Sequence, residues 1–168
     1  MTITMYEASV PTFARMLRAF DAILVKAQAH AAAKKIDPVV LLKARLFPDM
    51  FTFVRQVQIA TDHAKGSVAR LAGVEVPKFE DTEETFEEIR ERIAKTIAFI
   101  ESFTPEQING SEERAIALKV GGKDMEFKGM PYLVGFVVPN FYFHLVTAYN
   151  ILRHNGIEIG KRDYTGNP

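Results

Sequence analysis

Apolar residues recur at three- and four-residue spacing along most of the chain, the period of a helix buried on one face. Phe13, Leu17, Phe20, Leu24 and Ala27 share such a face, and the spacing predicts a first helix over 4–35. Ser9, ahead of Val10-Pro11, is its expected N-cap, with the residues before it in a short turn, because proline is tolerated in a first helical turn. Asp37-Pro38 reads as the cap and first residue of a short helix, VVLLKARL, which Pro48 interrupts. A second long helix is expected over 49–71, with Asp49 as N-cap and Met50, Phe53, Val54, Val57, Thr61, Ala64 and Val68 near one face. Phe51 and Ile59 lie off that face, so this helix is expected to bury a second side.

Gly73 ends that helix, and VEVPKFED follows as a loop. Thr82 with Glu83, Glu84 and Glu87 resembles a capped, dipole-matched start for a third helix, which runs to about residue 103 with Phe86, Ile89, Ile93, Ile97 and Ile100 inward. The period then changes. AIALKV and KDMEFKG alternate polar and apolar residues about Gly121-Gly122, the pattern of a β-hairpin. A fourth long helix is expected from about 130 to 154, stopped by Gly156, and the polar tail EIGKRDYTGNP is expected to be loosely held. Four long helices, one short crossover helix and a small hairpin make an all-α four-helix bundle, read as a single domain over 1–168.

Charge narrows the function classes. Lys plus Arg total 21 and Asp plus Glu total 21, a balance that argues against nucleic acid as a partner and in favour of an apolar face covered by a second subunit. The chain has no cysteine, which excludes disulfides, thiolate metal sites and cysteine nucleophiles. MTITMYEASV lacks the pattern of a secretory signal, and Asn140, His144 and Asn150 break the longest apolar runs, so no membrane span is expected and the cytoplasm is the expected location.

Candidate chemistry concentrates on the fourth helix. At 100° per residue, Leu133, Val137, Asn140, His144, Thr147, Ala148 and Ile151 cluster on one face. Asn140 and His144 thus stand one turn apart on what should be the inward side, where polar groups need partners. Either they form a polar pocket, with His144 as metal ligand or acid–base group, or His144 is a core histidine satisfied by a neighbouring helix. His63, beside Asp62, reads as surface or subunit interface; Gln56 and Gln58 sit at the edges of the second helix's stripe, within reach of a pocket; His30 reads as exposed; and His154 suits a helix end. There is no H-E-x-x-H, no E-x-x-H pair, no glycine-rich phosphate loop and no nucleophile elbow. The 13 Phe and 5 Tyr, with Phe141, Tyr142 and Phe143 consecutive, suit core packing plus a dimer interface, or an aromatic-lined pocket for an apolar or planar ligand.

The segments MYEASVPTFARML, KKIDP with LLKARLFPDMFTFVRQVQIATD, RLAG with FEDTEETFEEIRERIAKTIAFIESF, and PNFYFHLVTAYNILRHNGIEIGKRDY together resemble a bacterial family of uncharacterised proteins in the DinB-like superfamily, whose members are regarded as metalloenzymes. The resemblance spans nearly the whole chain and implies an up-down-down-up bundle with a long crossover, commonly a homodimer. In metal-binding members, one histidine from helix two and two from helix four, one turn apart, hold a divalent metal. Those paired positions fall here on Asn140 and His144, and the helix-two position falls near Gln56 or Gln58, with His63 about a turn away. Amides are weak ligands for zinc or nickel, so the resemblance implies a degraded triad. The leading expectation is a homodimer whose inter-helix pocket binds a small apolar or aromatic molecule, with Asn140, His144 and Gln58 as polar anchors beside Thr147. Its site for a divalent metal (zinc, nickel or manganese) is weak or absent. The competing expectations are a metal-dependent hydrolase or thiol-dependent transferase using His144, Asn140 and either Gln58 or His63, and a structural or stress-related dimer with no small-molecule site.

Overall fold

The computed structural model describes residues 2–166. The chain is mostly helical, with four long helices: α1 (Met5–Lys34), α3 (Phe53–Ala72), α4 (Phe86–Glu101) and α6 (Val138–His154). Short helices α2 (Pro38–Leu42), α5 (Pro105–Ile108) and α7 (Lys161–Thr165) lie between and after them. Strands β1 (Ala115–Val120) and β2 (Lys123–Lys128) pair antiparallel, Ala115 opposite Lys128 and Val120 opposite Lys123. Gly121 and Gly122 both have positive φ, 56° and 82°, as a two-residue hairpin turn of the primed type demands.

The periodic faces are buried as expected. Phe13, Leu17, Phe20, Leu24 and Ala27 of α1 and Phe86, Ile89, Ile93, Ile97 and Ile100 of α4 all lie in one continuous core. Ring contacts tie the helices together: Phe13 of α1 meets Phe141 of α6 at 4.7 Å between centroids, and Phe53 of α3 sits between Phe20 of α1 and Phe86 of α4 at 6.3 and 6.2 Å. α3 packs most extensively against α6, and α1 against α4.

The helix starts differ from the sequence expectation. Thr4, not Ser9, caps α1: its side chain accepts from the Glu7 amide at 3.2 Å while the Glu7 carboxylate accepts from the Thr4 amide at 3.0 Å. Ser9 lies inside the helix and donates back to the Met5 carbonyl at 2.7 Å. Pro11 is also interior, and its missing N–H leaves the Glu7 carbonyl to the Thr12 hydroxyl, which donates to it at 3.0 Å. α3 is capped by Thr52 rather than Asp49, and α4 by Thr85 with Glu88 rather than by Thr82. The short crossover helix stops at Leu42, before KARL.

The tail is held. Ile157 and Ile159 are buried, α7 packs on α1, Lys26 pairs with Asp163 at 2.6 Å, and Arg15 donates to the Thr165 carbonyl at 2.7 Å. The alternation of Ile157 and Ile159 carries the burial that a net-polar composition conceals. The last two residues, Asn167 and Pro168, lie outside the described residues.

The main departure precedes α6. Residues Pro131–Val137 form a π-helical segment, in which the Val138 amide donates to the Leu133 carbonyl five residues back. In a regular α-helix the Pro139 ring would collide with the carbonyl of Gly135, and the wider turn relieves that contact. The extra residue takes Leu133 out of the 100° phasing of α6, which itself runs unbroken through Asn140, His144 and Ile151. Leu133, Val137, Phe141, Leu145, Ala148, Ile151 and Leu152 are all buried, and Asn140 and His144 lie half-buried at the edge of that face.

Candidate functional site in the cleft between α3, the π segment and the hairpin

That flank faces α3. One side of α3 presents Arg55, Ile59, Asp62, His63 and Arg70, and the helix they face presents Tyr132, Phe136 and Asn140 at intervals of four. Leu118, Lys119, Val120 and Gly121 of the hairpin close one end. The result is an open cleft of about 480 Å³. Its aromatic wall is Tyr132 and Phe136, stacked at 6.0 Å and backed by Phe127 of β2, with His63 edge-on to Phe136 at 5.7 Å.

Each sequence-derived candidate has a definite place. His144 Nδ1 lies 2.6 Å from Gln56 Oε1, and Gln56 Nε2 donates to the Phe51 carbonyl at 3.3 Å. That second bond orients the amide with its oxygen toward His144, so Nδ1 carries the proton and Nε2 keeps a lone pair. The His63 ring lies parallel to His144, 16° apart in plane and 6.0 Å between centroids, and stands between it and the aromatic wall. Asn140 lines the cleft and donates to the Phe136 carbonyl at 2.7 Å. Thr147 donates to the Phe143 carbonyl at 2.6 Å. Gln58 turns away: it accepts from Arg55 at 3.2 Å and donates to Glu83 at 2.8 Å, on the α4 side of α3.

Burial and the neighbouring His144 push the His63 imidazole down to about 4, with Arg70 adding to the effect and Asp62 opposing it. Burial, then Arg55, lowers His144 as well. Both rings are therefore neutral at neutral pH. Because His63 is depressed below its ordinary 6.5, the unfolded chain binds more protons between pH 6.5 and 4, and stability must fall as pH drops through that window. The expected loss is on the order of 2–3 kcal/mol. Denaturant unfolding at pH 7, 5.5 and 4.5 checks this, and a His63→Phe variant should show a flatter profile.

A divalent metal does not fit this set of donors. Gln56 and Asn140 supply neutral amides, weak ligands for zinc or nickel, the Gln56 oxygen is taken by His144, and among the described residues no three His, Asp or Glu side chains converge.

Sequence reasoning missed the ionic cluster behind Gln58. Arg92 of α4 is buried and donates to the Thr61 hydroxyl (2.8 Å), Asp62 (2.9 Å), Glu83 (2.9 Å) and the Glu80 carbonyl (3.1 Å). Lys65 pairs with Asp62 at 2.6 Å, and the ammonium groups of Lys65 and Lys95 lie 4.8 and 4.2 Å from the centre of the Phe79 ring. The cluster fastens the α3–α4 loop onto both helices. An arginine in the midst of FEEIRERIAK gives no signal of this, because its partners lie up to 31 residues away.

The family described as domain of unknown function DUF1993 matches over residues 5–165. The chain belongs to this family. A crystal structure described as a DinB family member protein from Shewanella denitrificans is 42% identical, covers 97% of this chain and 92% of its own, and superposes with a TM-score of 0.87. No curated protein matches. The DUF1993 chain is thus a DinB-like protein, as the quoted segments imply. Among the described residues, no helix is long and apolar enough to cross a membrane.

Proposed function

We propose that this DUF1993 protein is a cytoplasmic, single-domain binding protein that takes a small aromatic molecule in the cleft between α3, the π segment and the hairpin. Its four long helices would form the up-down-down-up bundle with a long crossover. The observation that carries the reading is the aromatic wall of Tyr132 and Phe136, backed by Phe127 of β2 and opening on a cleft edged by Asn140 and His63. Concave, mostly apolar sites with a few polar groups are what small planar ligands need. His144 supports His63 from behind, and Gln58 serves the loop rather than the ligand.

A homodimer through the outer side of α6 is part of the reading. Val134 and Phe143 are each about half exposed, and Phe47 and Phe51 expose more than half of their surface ahead of α3. Such a run of large apolar residues suits a second subunit better than water. Phe143→Glu is expected to convert dimer to monomer in sedimentation equilibrium while leaving the far-ultraviolet circular dichroism unchanged. A wild type that sediments as a monomer throughout the micromolar range would remove the dimer from the reading.

The binding claim is tested by a panel of small aromatic compounds scored by amide chemical-shift changes. Shifts confined to residues of α3, the π segment and β1 support it; a silent panel, or shifts scattered over the surface, defeats it. The metal-dependent hydrolase or transferase reading would need a third imidazole or carboxylate at the site. Metal analysis after loading with zinc, nickel or manganese is expected to give far less than one ion per chain, and a stoichiometric ion lost in His144→Ala would restore that reading.

A further inference from the structure

The cleft holds a cation that nothing neutralises. Arg55 pairs with Asp81, and Lys119 pairs with Asp124 at 2.9 Å. Asp62, the acid on the wall, is committed to Arg92 at 2.9 Å and Lys65 at 2.6 Å. Arg70 alone among the cleft's cations has no carboxylate within ion-pair distance among the described residues; its one bond is from Nη1 to the Tyr132 hydroxyl, at 3.0 Å.

The seat of that guanidinium is built. Gly66 lies one turn before Arg70 in the middle of α3, where glycine costs a helix about 1 kcal/mol relative to alanine. A Cβ at Gly66 would stand 2.7 Å from Arg70 Nη1, too close for the observed position. The missing methyl lets the arginine fold back along its own helix to reach Tyr132, which is 1% exposed. Only part of the planar fork of N–H donors is used there, and the rest matches the geometry of a carboxylate. Next to it stand the stacked rings of Tyr132 and Phe136.

We propose, resting on the binding reading above, that the occupant is an aromatic carboxylate, its ring against Phe136 and Tyr132 and its carboxylate on Arg70. The assignment makes Arg70 the residue that sets specificity for charge, and Gly66 the residue that positions it.

The test compares 1-naphthoate with its neutral isostere 1-naphthamide, titrated into the full chain in low-chloride buffer and followed by ligand fluorescence and amide shifts. The wild type is expected to prefer naphthoate by about tenfold or more, the scale of a charge-assisted bidentate pair. Arg70→Gln should erase the preference and keep naphthamide binding. Tyr132→Phe should weaken the preference in part, because it removes the one hydrogen bond that seats the guanidinium. Gly66→Ala, which favours the helix and so preserves folding, should also weaken the preference by displacing Arg70. Equal affinity of the two compounds for the wild type, or a preference that survives Arg70→Gln, overturns the charge assignment and leaves the aromatic cleft standing. Failure of both compounds to bind the wild type overturns the cleft reading and this one with it.

Discussion

Replacing Arg92 by methionine is expected to lower the unfolding free energy by about 3–5 kcal/mol, the range for removing one partner of a buried, hydrogen-bonded ion pair. The magnitude follows from what is left behind. The Arg92 side chain is 2% exposed, and Glu83, 2.9 Å from it, is only 10% exposed. Without the guanidinium, the Glu83 carboxylate and the Thr61 hydroxyl lose a donor in a place water barely reaches, while the Glu80 carbonyl, on an exposed residue, recovers solvation. Asp62 and Asp81, each more than a third exposed, recover solvation and contribute little to the loss. Chemical denaturation measures the effect, and thermal unfolding should shift by roughly 2–4 °C per kcal/mol for a chain of this size. Adding Glu83→Gln to the methionine variant should return part of the loss, because it removes the stranded charge. A loss below about 1 kcal/mol would mean the cluster is solvated and contributes no more than a surface pair.

Gly129→Ala is the second large effect, expected at about 3 kcal/mol, the upper end for forcing atoms into a packed site. Gly129 joins β2 to the π segment, where the backbone of Ser111 and Glu112 crosses it. A Cβ there would overlap the Ser111 carbonyl oxygen, and a Cβ-to-Glu112 oxygen distance of 3.4 Å leaves no direction of escape. Both oxygens are fixed by other bonds, Ser111 O accepting from the Arg114 amide at 3.0 Å and Glu112 O from the Met130 amide at 2.9 Å. Neither can swing aside as a side chain would. Gly135→Ala is the matched control: nothing lies within 4 Å of its Cβ position, so the same added methyl should change stability by less than about 1 kcal/mol. Denaturant midpoints of the two variants, measured side by side, separate steric conflict from any general intolerance of alanine in this segment.

Much of the architecture was legible because local chemistry and tertiary packing agree. Gly121-Gly122 between alternating residues forces a tight hairpin wherever the strands go, and the isoleucines of α4 leave a helix only one way to bury them. The caps were legible too, in the pairs Thr4 with Glu7 and Thr85 with Glu88, but Pro11 and the run of acids after Thr82 offered stronger-looking signals nearby. The site was less legible for a geometric reason. Asn140 and His144 do lie one turn apart, yet how they stand relative to Tyr132 depends on a π turn whose only sequence trace is Pro139. Gln56 and Gln58 differ by two residues, half a helical turn and more, so which one meets His144 is fixed only once α3 is docked. Arg70 resembles any surface arginine until Gly66 and Tyr132 are seen around it.

The π segment also has a bearing on how the chain tolerates insertion and deletion. It stores one residue more than an α-helix of the same rise, so a single deletion at Gly135 would let ordinary i to i−4 bonding resume without breaking the helix. The flanks would keep their relative rotation, because the residue removed is the one the wider turn holds in excess, and Tyr132 would stay on its side of the cleft. A one-residue deletion within α6, which holds no such reserve, would instead turn everything before it by about 100° and carry Tyr132 and Phe136 away from the cleft.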